Sequence, residues 1–133
     1  MGMAIAGLER QVWQWRGFNV GYRCVGKAGP AVVLVHGFGA SSGHWRKNLP
    51  VLGESCRCFA IDLLGFGASD KPRPDGTVSY TFETWADQII DFCREVVGES
   101  AFLIGNSIGC IAAMQAGVSA PDWVRGIAAL NIS

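Results

Sequence analysis

Gly105-Asn106-Ser107-Ile108-Gly109 is the stretch of this sequence that decides the fold. It lies between an apolar run, Ala101 to Ile104, that predicts a buried strand, and a run of small residues, Ile108 to Ala120, that predicts a helix ended by a proline. Glycines two residues before and after the serine remove side chains that would collide at a sharp strand-to-helix turn. Such a turn holds a serine in a strained conformation with its hydroxyl exposed. The other interpretation, a serine that caps a helix after a glycine turn, is disfavoured by this strand–helix context.

The rest of the chain predicts strands that alternate with helices. Buried strands are expected at Ala31–Val35, Cys56–Asp62 and Val124–Leu130, an antiparallel hairpin at Val12–Val25, and helices at Trp45–Leu52 and from a Thr81 cap to Gly98. The segment from Leu63 to Ser79 is expected to form a loop. This alternation predicts an α/β fold, a mostly parallel sheet with flanking helices, in one domain whose core begins near residue 12.

A second motif, Val35-His36-Gly37-Phe38-Gly39, follows the first buried strand. An acyl-transfer enzyme must stabilise an oxyanion, and backbone N–H groups do so without reorganisation during the reaction. The two glycines let the backbone approach a ligand closely. We expect the N–H groups of Phe38 and Ile108 to form such an oxyanion hole.

The histidines and acidic residues near these motifs are expected to be structural. His36 precedes the glycine loop and is expected to point into the fold rather than act as a general base, and His44 is expected in a surface loop. Asp62 ends a strand and is expected to hydrogen-bond the glycine turn that follows it. Asp70 and Asp75 are expected in a solvated loop, with no assigned role.

Composition excludes several classes of partner. The formal net charge is zero and half of the residues are hydrophobic, so neither nucleic acid nor an anionic membrane is expected as a partner. The five cysteines are an odd number scattered through apolar stretches, which indicates buried thiols in a reducing compartment and no metal site. No apolar run reaches the length of a membrane span, and Met1 to Leu8 lack the early basic residue of a signal peptide, so the cytoplasm is expected.

Three motifs in this order and spacing resemble the α/β-hydrolase superfamily. They are His36-Gly37-Phe38-Gly39, Asp62-x-x-Gly65-x-Gly67-x-Ser69 and Gly105-x-Ser107-x-Gly109, and the resemblance runs from about Val12 to the last residue. It implies that Ser107 is the nucleophile and that Phe38 and Ile108 supply the oxyanion hole. The residues that it implies as supporting the motifs are His36, Gly37, Gly39, Gly105, Asn106 and Gly109.

Within the superfamily, serine at position 107 disfavours the haloalkane dehalogenase and epoxide hydrolase branches, where the residue is aspartate. The Gly105–Gly109 stretch and Asp62-Leu63-Leu64-Gly65-Phe66-Gly67 are also similar to a plant and cyanobacterial branch that includes pheophytinase and chlorophyll dephytylase.

The resemblance implies a serine hydrolase that cleaves an ester or related acyl bond of an apolar small molecule through an acyl-enzyme, with no cofactor. In the family the acid and the histidine follow the serine, so both are expected beyond Ser133, and the chain is expected to be the N-terminal part of the fold without its cap and last strands. Because Val124–Leu130 would then lack its next neighbour, self-association through that strand is expected.

Two alternatives remain open. The same scaffold could carry lyase, synthase, carbon–carbon hydrolase or cofactor-free peroxidase chemistry, because a fold does not determine a reaction. The chain could also be a non-catalytic remnant or a binding module.

Overall fold

The computed structural model describes residues 9–75 and 78–132. Within these ranges the strands are β1 (Gln11–Trp15), β2 (Phe18–Val25), β3 (Ala31–Val35), β4 (Arg57–Ile61), β5 (Ala101–Asn106) and β6 (Val124–Leu130). The α-helices are α1 (Leu49–Leu52), α2 (Phe82–Phe92) and α3 (Ile108–Ser119), with short 3-10 turns at Ser42–Trp45 and Pro121–Trp123. The sequence segment weighed as a signal peptide, Met1 to Leu8, lies outside the described residues.

In the described residues the strands form one six-stranded sheet in the order β1-β2-β4-β3-β5-β6. β4, β3, β5 and β6 are parallel, and the β1–β2 hairpin joins this block antiparallel through β2 and β4. Val35 pairs with Ile61 on one side and with Gly105 on the other, so the carboxyl ends of three neighbouring strands, β3, β4 and β5, lie side by side. The prediction of a mostly parallel α/β sheet with flanking helices is confirmed.

The core lies on both faces of the sheet because alternate strand residues point to opposite sides. Val33 and Val35 of β3 belong to the larger cluster, which is packed beneath α2 and α3. Val32 and Leu34 belong to a smaller cluster with Trp45 and Leu49, on the side of α1. A strand covered on both faces reads as a continuous apolar run, which explains the sequence of β3.

Helix α2 begins and ends where the sequence predicts. The Thr81 hydroxyl accepts a hydrogen bond from the N–H of Thr84 at 3.1 Å, and Gly98, with φ of 82°, ends the helical segment. The last turn, Cys93–Val97, is a π-helix, which the sequence pattern does not predict. The first strand is tied to α2 because the indole of Trp15 donates to Asp91 at 2.8 Å.

Val124–Leu130 forms a strand, as predicted, but the prediction that this strand is buried is wrong. The segment is β6, but Ile127 is 39% and Leu130 is 45% exposed. Among the strands of residues 9–75 and 78–132, β6 is last in the sheet order and has a strand neighbour on one side only, and its apolar side chains are not covered as those of β3 are. Within residues 9–75 and 78–132, no helix is both long and apolar enough to cross a lipid bilayer.

Candidate active site

Ser107 occupies the sharp turn between β5 and α3. Its backbone has φ of 57° and ψ of −125°, a conformation that costs a non-glycine residue about 1–3 kcal/mol. The side chain is exposed and makes no capping hydrogen bond to α3. Ser107 is therefore not the capping serine that the alternative interpretation requires. It lies exposed at the carboxyl ends of the parallel strands.

Close packing explains why this turn carries glycines. A Cβ atom on Gly105 would lie 2.7 Å from the backbone N of Cys110, and one on Gly109 would lie 2.4 Å from the carbonyl oxygen of Val35. The N–H of Ser107 also donates to the carbonyl of Leu130 at 2.9 Å, which ties the turn to β6. The strained serine is thus held by β3, β6 and the first turn of α3 together.

The loop after β3 lies against Ser107. A Cβ atom on Gly37 would be 3.1 Å from Cβ of Ser107, so the backbone that leads into Phe38 passes beside the serine. Gly39 has φ of 75° and turns the loop away, and the Phe38 side chain is 76% exposed. Ile108 is the first residue of α3, where a backbone N–H has no partner within the helix. The structure brings these predicted residues together, and their role as an oxyanion hole stays a prediction.

His36 is a buried structural residue, as predicted. The N–H of Leu63 donates to its Nε2 at 3.0 Å, so the ring proton is on Nδ1, which donates to the carbonyl of Gly37 at 2.7 Å. Burial lowers the pKa of His36, which keeps the ring neutral at neutral pH, against smaller opposing effects of the Gly37 bond and Asp62. The carbonyl of Gly37 and the N–H of Phe38 belong to one peptide group and point in opposite directions. The His36 bond therefore turns the N–H of Phe38 away from the imidazole.

His44 is exposed, as predicted, although it lies in the 3-10 turn Ser42–Trp45 rather than in an irregular loop. Its ring meets the ring of Trp45 edge-on, with centroids 4.8 Å apart.

Asp62 supports the glycine turn, as predicted. Its carboxylate is fully buried and accepts from the N–H of Ser42 at 2.6 Å and from the N–H of Ala68 at 3.2 Å. Sequence reasoning missed Gln88, which is buried in α2 and accepts from the N–H of Leu64 at 2.9 Å. A polar residue beside the apolar stripe of α2 is the signal that could have identified it.

Asp70, to which the sequence pattern assigned no role, joins two segments of the chain. Its carboxylate accepts from the N–H of Asn19 at 2.8 Å, and its own N–H donates to the carbonyl of Asn19 at 2.8 Å. The loop after β4 is therefore bound to the hairpin at Asp70, because a carboxylate near a free strand N–H makes a charge-assisted bond. Asp75 is exposed, as expected.

Asn106 is held by a residue that sequence reasoning missed. The amide of Asn131 donates to the side-chain oxygen of Asn106 at 2.8 Å, directly beyond the paired ends of β5 and β6. No local signal in the sequence pairs these two asparagines, since 25 positions separate them.

Among the described residues, no group of three or more His, Cys, Asp or Glu side chains could hold a metal ion. All five cysteines are free thiols. Burial raises the pKa of Cys58 and of Cys93 to about 12, so both remain protonated at neutral pH.

The sequence and the structure of this chain are similar to those of known proteins. The model of the alpha/beta hydrolase fold family matches residues 30–133. Pheophytinase from the chloroplast of Arabidopsis thaliana is 32% identical, over 77% of this chain and 27% of that protein. Haloalkane dehalogenase from Bradyrhizobium diazoefficiens is 34% identical, over 84% of this chain and 35% of that protein. The crystal structure of a bacterial membrane phospholipase A superposes with a TM-score of 0.88 and 30% identity, covering 96% of this chain and 40% of that one. The chain thus spans about a third of the length of the curated relatives that it matches.

Proposed function

This chain belongs to the alpha/beta hydrolase fold family, and we propose that it carries the nucleophile of a serine hydrolase that cleaves an ester or related acyl bond. The family membership makes a hydrolase the general expectation. The finer assignment depends on what occupies the strand-to-helix turn, which here is a serine.

The observation that carries the proposal is the conformation of Ser107. Its backbone has a positive φ, its side chain is exposed, and its hydroxyl is not used to cap α3. Strain of this kind persists only where the surrounding structure holds it, and it concentrates at functional sites. A serine in place of aspartate supports acyl transfer over the chemistry of the dehalogenase and epoxide hydrolase branches.

The proposed reaction proceeds through an acyl-enzyme. The Oγ atom of Ser107 attacks the acyl carbon, and the N–H groups of Phe38 and Ile108 stabilise the oxyanion that forms. Each such donor is typically worth about 3–4 kcal/mol of transition-state stabilisation. The proton of the Ser107 hydroxyl passes to the general base and from it to the leaving alcohol as the carbon–oxygen bond breaks. Water then hydrolyses the serine ester, which releases the carboxylic acid and restores the hydroxyl of Ser107.

The proposal assigns neither histidine of this chain as the general base. Both ring nitrogens of His36 are occupied by backbone groups, which supports a positioning role instead. The family order of serine, acid and histidine supports a base that follows Ser107 in sequence.

Reaction with a fluorophosphonate probe tests the nucleophile. We expect slow labelling of Ser107 in the 133-residue chain, because strain and the oxyanion hole act without a base. Ser107→Ala should abolish labelling, whereas Ser79→Ala, at another exposed serine, should leave it unchanged. Peptide mapping identifies the labelled residue.

Labelling that persists in Ser107→Ala, or that spreads over exposed serines, would refute Ser107 as the nucleophile. Rapid stoichiometric labelling that Ser107→Ala abolishes would confirm the nucleophile but would show that His36 or His44 acts as its base.

A further inference from the structure

An aromatic cleft opens beside the loop that follows β3 and passes Ser107. It has a volume of about 300 Å³ and is lined by Phe38, Gly65, Phe66, Tyr80 and Trp85, none of which carries a charge. The lining residues come from three separate parts of the chain: the loop after β3, the loop after β4 and the start of α2 with the residues before it. The cleft is therefore a product of the tertiary fold.

Two of the four rings that line the aromatic cleft are fixed by hydrogen bonds to backbone carbonyls. The indole N–H of Trp85, a side chain only 6% exposed, donates to the carbonyl of Leu64 at 3.0 Å. The hydroxyl of Tyr80 donates to the carbonyl of Pro72. Because the polar ends of both side chains bind backbone groups, they present apolar ring surface to the cleft. A rigid wall of this kind loses little conformational entropy when a ligand binds.

Gly65 leaves room for the Tyr80 ring in the wall of the cleft. It has φ of 94°, and a Cβ atom at this position would lie 2.8 Å from Cε1 of Tyr80. Any side chain at position 65 would therefore displace the Tyr80 ring. The motif Asp62-x-x-Gly65-x-Gly67-x-Ser69 thus determines the shape of the cleft as well as the turn.

Phe38 connects the cleft to the nucleophile. Its backbone follows Gly37, which lies against Ser107, and its ring meets the ring of Phe66 edge-on with centroids 5.4 Å apart. Phe66 in turn lies 5.9 Å from the Trp85 ring. Phe38 is nevertheless 76% exposed, so one face of its ring lacks a protein neighbour. A substrate with its carbonyl oxygen at the N–H of Phe38 would extend an adjoining group along this face.

We infer that the aromatic cleft binds an aryl group of the substrate whose acyl bond Ser107 attacks. The inference rests on the proposed function, since it takes Ser107 as the reacting residue. The edge-to-face contact between Phe38 and Phe66 shows the ring geometry that favours an aromatic guest over an aliphatic one with the same carbon skeleton. The preference expected from one such contact is roughly 2- to 10-fold in affinity.

A pair of neutral alcohols with the same carbon skeleton, one aromatic and one saturated, tests the inference without any chemical step. Benzyl alcohol and cyclohexylmethanol are titrated separately into the 133-residue chain, and binding is followed by shifts of backbone amide signals in NMR spectra. We expect benzyl alcohol to bind roughly 2- to 10-fold more tightly. The shifts should concentrate at Phe38, Gly65, Phe66 and Tyr80.

Phe38→Leu removes a ring but keeps an apolar side chain and the backbone N–H. Because Phe38 is exposed, the variant should fold, and it should lose most of the preference for benzyl alcohol. Val118→Ala, at an apolar side chain on α3 that is 78% exposed, is the matched control and should retain it. Equal affinity for the two alcohols, shifts elsewhere on the molecule, or an unchanged preference in Phe38→Leu would overturn the inference.

The two proposals fail separately. If benzyl alcohol binds as described but Ser107 does not react with the fluorophosphonate, the proposed function is wrong and the cleft stands as an aryl-binding site. If Ser107 reacts but the cleft shows no aryl preference, the proposed function stands and this inference is wrong.

Discussion

The buried side chains at the carboxyl ends of β3 and β4 form hydrogen bonds with backbone groups around the site. His36 joins the N–H of Leu63 to the carbonyl of Gly37, and Asp62 joins the N–H of Ser42 to that of Ala68. Each side chain crosses between two loops. At the residue scale, the position of the loop beside Ser107 therefore depends on these bridges, of which the bond from Leu63 to His36 requires a neutral ring.

Acidification should weaken the fold through His36. Because burial lowers its pKa in the folded state below the ordinary value of 6.5, the unfolded chain binds the proton first as the pH falls. Stability is thus full above that pH and decreases toward the folded-state pKa, where a proton on Nε2 displaces the Leu63 bond. Urea unfolding between pH 7.5 and pH 5 should show this decline, and it should be smaller in His36→Asn.

His44→Asn is the control for this experiment, because His44 is exposed, forms none of the hydrogen bonds of His36, and makes the smallest of the contributions that shift the His36 pKa. It should show the same decline as the unmodified chain. A decline of equal size in His36→Asn would mean that other groups cause it.

At the scale of elements, α3 docks on β3 and β6 through its glycines. Gly109 lies against the carbonyls of Val35 and His36, at distances that leave no room for a side chain. Gly117, two turns later, faces side chains instead of backbone, and a Cβ atom there would be 3.2 Å from Cδ1 of Ile127 and 3.8 Å from Cγ1 of Val124. The same residue type therefore has two different roles in one helix.

Alanine at these two positions should have opposite effects on the free energy of unfolding. Gly109→Ala should destabilise the chain by about 3 kcal/mol, at the upper end of overpacking effects, because rigid backbone must move. Gly117→Ala should leave stability unchanged or raise it by up to about 1 kcal/mol, because alanine favours the helix and the half-exposed Ile127 can move. Urea unfolding midpoints measure both. A loss of more than 1 kcal/mol in Gly117→Ala would show that α3 packs on β6 as rigidly as on β3.

At the scale of the whole molecule, the sheet presents an apolar face next to β6. A groove of about 430 Å³ runs over β5 and β6 and is lined by Val32, Phe102, Leu103, Ile104, Gly126, Ile127 and Ala128. β6 also ends the sheet order in the described residues, so its outer edge offers unpaired backbone groups. An apolar face beside an open edge favours pairing with another chain.

We expect the 133-residue chain to self-associate through β6. Sedimentation velocity should show dimers or larger species, and Ile127→Lys should shift them toward monomer because it places a charge on the groove. Val12→Lys, at an exposed residue of the opposite edge strand β1, should not. A monodisperse monomer of the unmodified chain would contradict the expectation.

The sequence by itself determined the order and type of the elements and the position of the strained serine. The Thr81 cap and the Gly98 stop depend on residues that are neighbours along the chain, so the pattern of residue types is sufficient to predict them. The Gly105–Gly109 turn is recognised from its motif between a strand and a helix, although Val35 and Leu130 also hold it in the folded chain.

Only the tertiary structure decided which side chains meet. Asp70 binds Asn19 across 51 positions of sequence, and the exposure of β6 follows from its place in the sheet order. The aromatic cleft joins Phe38, Phe66 and Trp85 from separate loops and a helix. Contacts between distant segments depend on how strands order and how loops cross, and the residues at each end carry no local signal of their partner. Long-range packing therefore decided the surroundings of Ser107, whereas local pattern decided Ser107 itself.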